Sequence, residues 1–139
     1  MSMWKTVLQE GFLPGISSKA LLALEHALRL DDPRLIQGAT TMPPPLQCVL
    51  DWPCEGSCLR GFCAWADHDF EASVGQVEEE FARACFDADE RVGEKAGCRY
   101  LLNWFDETPR DEMRALLLPE IQAELARRCV MPLPEGATS

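Results

Sequence analysis

The sequence predicts a mainly α fold: four to five helices around one core, with an irregular segment rich in cysteine and tryptophan inserted at about residues 46–66. Three observations lead there. Apolar residues recur at three- and four-residue steps in the long stretches on either side of the insert. Ser, Thr and Asp–Pro signals stand at the starts of those stretches, and Gly or Pro at their ends. Between about 40 and 62 prolines and glycines break any regular element, although Leu46, Cys48 and Leu50 alternate with polar neighbours and allow a short strand, and a partner strand near 60–65 would make a small two-stranded piece.

Taken in order, residues 3–13 (MWKTVLQEGFL) predict a short helix or ordered arm that lays Trp4 on the core, stopped by Gly11 and Pro14–Gly15. Ser17 or Ser18 caps the first full helix, because a serine oxygen can accept from an unpaired N–H of the first turn. With Ser17 as cap, Ile16 and Leu21 occupy the positions of a hydrophobic staple. Leu21, Leu24 and Leu28 form the buried stripe, and His26 falls off it toward the surface. Asp32–Pro33 predicts another start, with a short helix over 33–37 closed by Gly38. TTMPPP (40–45) reads as an extended polyproline spacer. Trp52, Phe62 and Trp65 are expected to pin the insert into the core, since large rings can offset the entropy of ordering a Gly/Pro-rich loop.

Beyond the insert, Ser73 starts a helix to about Val92, where Gly93 stops it. Val74, Val77, Phe81, Ala84, Cys85, Ala88 and Val92 mark its buried side. A shorter helix is expected over 94–105. A last helix is expected over 109–128, with Thr108 as cap, Pro109 at its first position and a kink or restart at Pro119. Residues 1–131 are expected to form one domain and 132–139 a flexible tail.

Charge narrows the function. The chain carries a net −10, and residues 64–112 hold fourteen acids against five bases. That excludes binding to a nucleic-acid backbone or an anionic membrane, both of which need a basic face. It leaves the helical face at 71–112 as a docking surface for a basic protein partner or, more plainly, as a solvated surface. No basic region followed by an apolar run opens the chain, and no apolar stretch nears the ~20 residues that span a bilayer. Seven cysteines, an odd number, are read as free thiols in a reducing, cytoplasmic setting.

The segment 48–68 concentrates the candidate chemistry, with four of the seven cysteines and one of the two histidines. Thiolates and imidazole are what Zn²⁺ or an iron–sulfur cluster needs. Cys54, Cys58, Cys63 and His68 form the candidate metal set, with Cys48 as a substitute ligand. Their spacings are five, three and four residues between successive cysteines rather than paired C-x2-C. The plainer reading, which we favour, makes them small buried apolar residues. No phosphate loop, nucleophile elbow or HExxH is present. The expected function is an acidic protein-interaction or regulatory module without catalysis. A metal or redox-responsive thiol protein stands second, and an enzyme with unidentified residues third.

Overall fold

The structure, a computed structural model, describes residues 3–46 and 49–131. It is mainly helical, as expected, with a single two-stranded piece among the described residues. The chain enters through α1 (Met3–Thr6), continues as a π-helical segment Val7–Phe12 and closes in a 3-10 turn Leu13–Gly15. Gly11 lets this segment cross α4 (Val74–Val92) at close range: a Cβ there would stand 3.1 Å from Val92 Cγ2 and 3.2 Å from the Ala88 Cβ. Trp4 reaches the core as expected and stacks face to face on Trp104, ring centroids 3.7 Å apart.

Helix α2 (Ser18–Leu30) starts as the sequence implies. The Ser17 hydroxyl accepts from the Ala20 N–H at 3.0 Å, and Ile16 and Leu21 are both buried. Helix α4 opens on a full capping box, Ser73 with Gln76, and ends at Gly93 with φ +79°. Helix α5 is Arg99–Glu107, which begins later than the sequence suggests because 93–98 is taken up by turns. Thr108 closes α5 rather than opening the next helix. Its hydroxyl donates to the Trp104 carbonyl, and Pro109 holds the capping position of α6 (Arg110–Arg127). Met113, Leu117, Ile121 and Leu125 are buried at four-residue steps along α6, and the helix passes through Pro119 without ending.

Four expectations in the insert and its approach are corrected. Residues 33–37 are not helical. Leu35 sits fully buried in a bridge to Ser57, with Ile36 N–H bonded to the Ser57 carbonyl at 2.8 Å and Ser57 N–H to the Arg34 carbonyl at 2.8 Å. The two-stranded piece is β1 (Thr41–Met42) against β2 (Gly56–Ser57), antiparallel, with Thr41 opposite Ser57. It therefore starts inside the stretch read as a polyproline spacer. The stretch 60–65, read as strand, lies inside α3 (Leu59–Asp67). Trp52 is 55% exposed and outside the core, whereas Phe62 and Trp65 are buried. Those two rings join Phe70 in an edge-to-face cluster with centroids 5.0 to 6.1 Å apart.

Most of the buried apolar residues form one contiguous cluster, to which α1 to α6 all contribute. Among the described residues, no helix is long and apolar enough to cross a membrane.

Candidate functional site

The expected metal set is spread along and around α3. Cys58 stands at the capping position before α3 and His68 just after its end. Nine residues of helix separate them, about 15 Å of axial rise. Cys63 points from the middle of α3 into the core and is fully buried. Cys54 lies before β2 and donates its S–H to the Gly56 carbonyl at 3.2 Å. The His68 imidazole faces outward, with Nε2 at 3.0 Å from Glu80 of α4. Cys48 lies outside the described residues. Among the described residues, no three His, Cys, Asp or Glu side chains stand where one ion could bind them.

Burial sets the state of these thiols. It pushes Cys58 and Cys63 up to about 12, and it raises Cys54. For Cys58 the backbone N–H groups of Gly61 and Arg60, in the first turn of α3, pull the other way, as a helix N-terminus does. Desolvation is the larger effect, so the thiol stays protonated at neutral pH. Since the thiolate is the nucleophile and the metal ligand, both roles are opposed here by the cost of ionising a buried sulfur. Cys58 does share a cavity of about 380 Å³ with Cys85 and Cys98, brought together from α3, α4 and the start of α5. Residues 13 to 40 positions apart gave no sequence signal for that convergence.

The outward face of the insert is the other distinctive feature. Met42, Leu46, Leu50 and Trp52 are all large, apolar and exposed. They are held by backbone. The Trp52 carbonyl accepts from Val74 N–H at 2.9 Å and the Leu50 carbonyl from Gly75 N–H at 2.9 Å, which satisfies two of the unpaired donors that open α4. Cys54 N–H bonds the Ala72 carbonyl, and Glu55 N–H bonds the Met42 carbonyl at 2.8 Å. Asp51, Glu55 and Glu71, each next in sequence to a residue of these bonds, are exposed.

The acidic helical face at 71–112 is partly used inside the protein. Glu78 accepts the Thr41 hydroxyl at 2.6 Å, Glu80 holds His68, and Asp89 accepts from Ala96 N–H and Cys98 N–H. Glu71, Glu79 and Glu90 remain exposed, as does Phe86 on α4.

No protein-family model, no curated protein and no solved structure matches this chain.

Proposed function

We propose that the chain is a non-catalytic protein-interaction module that docks a basic, apolar segment of a partner on the Trp52 loop and the acidic helical face at 71–112. The observation that carries this reading is the exposure of Met42, Leu46, Leu50 and Trp52 on a loop fixed by backbone hydrogen bonds. An apolar patch with a polar border is what interaction sites present, and tryptophan is the residue most often found at their energetic centre. Asp51, Glu55 and Glu71 supply the border, and the acidic bias of 64–112 extends it along the helical face at 71–112. A partner that complements both is basic and amphipathic. The free thiols among the described residues fit a reducing, cytoplasmic setting.

The experiment is a titration with a lysine-rich amphipathic peptide and with an acidic peptide of the same apolar pattern. The basic peptide should bind, and more weakly as salt rises. Trp52→Ala should weaken it at least tenfold, and Glu55→Lys with Glu71→Lys should do the same, without moving the melting temperature. Equal binding of the acidic peptide, or an affinity indifferent to Trp52→Ala, would overturn the reading.

A further inference from the structure

We propose that the cleft between α2 and α3, a site separate from the Trp52 loop, binds a small planar organic acid. The cleft encloses about 480 Å³, within the range of small-molecule sites. Its floor is apolar: Leu22 and Ala23 from α2 face Phe62 and Ala66 from α3. Small side chains at positions 23 and 66 leave the space between the two helices unfilled there.

One wall is held open at a conformational cost. Asp69 and Phe70, directly after α3, have φ of +55° and +61°. Left-handed backbone disfavours any side chain with a Cβ, and for a ring as large as phenylalanine it is rare. The surroundings fix it. Phe70 N–H bonds the Trp65 carbonyl at 2.9 Å, and the Phe70 ring meets Trp65 and Phe62 edge to face. The Arg34 guanidinium lies 4.5 Å over the same ring. Strain that the neighbours over-determine is typical of ligand clamps. Here it places an aromatic edge and a guanidinium side by side at one cavity wall.

The polar groups of the cleft select the ligand's chemistry. Its two carboxylates are occupied: Asp32 takes the Arg34 Nε and Nη2 fork, and Asp69 holds Lys19 at 2.5 Å. The donors are in surplus. Arg34 Nη1 takes no part in the fork, and the Lys19 ammonium has two protons beyond its ion pair. His26 also lines the cleft, but its Nε2 is shut from solvent and so stands out of a ligand's reach. Apolar walls with uncommitted donors at the rim fit an aryl carboxylate, its ring against Phe70 and its oxygens toward Arg34 and Lys19.

The test uses three probes of one shape, 2-naphthoate, 2-naphthamide and 2-naphthylmethylammonium, titrated into the full chain by calorimetry. Naphthoate should bind at least tenfold more tightly than the amide and the cation. Arg34→Gln should weaken naphthoate at least fivefold and leave the amide unchanged. Ala23→Leu, which fills the floor from a half-buried position, should abolish both while melting as the parent does. Equal affinity for acid and amide would overturn the ligand class. Failure of all three probes, or binding that survives Ala23→Leu, would overturn the site.

Discussion

Arg114 of α6 donates from Nε to the carbonyl oxygen of Leu28, 2.8 Å away in the last turn of α2. Its Nη2 reaches the next carbonyl, Arg29, at 3.1 Å. A helix leaves its last four carbonyls without partners and carries partial negative charge at that end, so one cationic fork meets both needs. Charged hydrogen bonds of this kind contribute about 1.5–3 kcal/mol. Arg114→Ala should therefore lower stability by about that amount, seen as a lower urea midpoint at unchanged m-value. Arg114→Lys should recover only part, because an ammonium lacks the planar fork. A neutral outcome for Arg114→Ala would show that solvent caps α2 as well as the arginine does.

The buried thiols predict a pH dependence with a definite sign. In the unfolded chain a cysteine ionises near 9, whereas burial holds Cys58 and Cys63 protonated until about 12. Below 9 both states keep their protons and the contribution is fully present. Between about 9 and 12 the unfolded chain has lost protons that the native one retains, so stability falls as pH rises, by about 1.4 kcal/mol per pH unit for each thiol. Lysine and tyrosine titrate nearby, so the check is comparative: Cys63→Ala should show a shallower alkaline slope than the parent. At pH 8 a small thiol reagent should modify the exposed Cys129 promptly and leave Cys58 and Cys63 intact. Rapid modification of Cys63 in the native protein would contradict its burial.

Pro119 should act against α6 rather than for it. The helix runs from Arg110 to Arg127 through this residue, whose missing N–H leaves one carbonyl a turn earlier without its partner. Both Pro119 and Ala115 are exposed, so water can take that carbonyl and no buried group is orphaned. Leu117 and Ile121 are fully buried on either side, so the packed face is continuous across the proline. Pro119→Ala should stabilise the protein by up to about 3 kcal/mol, the difference in helix propensity, measured by thermal melting. A loss of stability would mean that the proline imposes a curvature that Leu117 and Ile121 need.

What the sequence shows of this fold is what local chemistry decides. Ser17, the Ser73–Gln76 box and Gly93 bound their helices because a cap is satisfied within four residues. The four-residue step of Met113, Leu117, Ile121 and Leu125 survives because one helix face meets one core. Asp32–Pro33 carries an equally good local signal for a helix and fails. Leu35 is buried through a bridge to Ser57, a partner twenty-two residues away. Trp52 was expected in the core because of its ring, yet its position is set by its carbonyl, which caps α4 and leaves the ring outside. The Cys54, Cys58, Cys63 and His68 set is compact in sequence, but α3 turns that proximity into opposite ends and different faces of a rod. The meeting of Arg34 with Asp69, and of Cys58 with Cys85 and Cys98, was not legible, since chain crossings alone bring them to their cavities.

Gly61 offers the sharpest test of how β2, α3 and α4 meet. In an exposed helix interior, glycine to alanine stabilises by roughly 1 kcal/mol. Here a Cβ would stand 2.0 Å from Ser57 Oγ and 3.3 Å from Val77 Cγ1 of α4. Ser57 has little room to yield. It is fully buried, its hydroxyl donates to the Thr40 carbonyl at 2.6 Å, and its backbone is bonded on both sides to residues 34 and 36. Rotating the hydroxyl away would break the Thr40 bond in a dry site. Overpacking costs about 1–3 kcal/mol, which exceeds the propensity gain, so Gly61→Ala should be net destabilising. Ser57→Ala removes the clashing oxygen. On that background the added cost of Gly61→Ala should shrink, a non-additivity that a double-mutant cycle by urea unfolding would read directly. Additive effects, or a Gly61→Ala protein more stable than the parent, would show that the helix can shift at this crossing and that Ser57 does not set its distance.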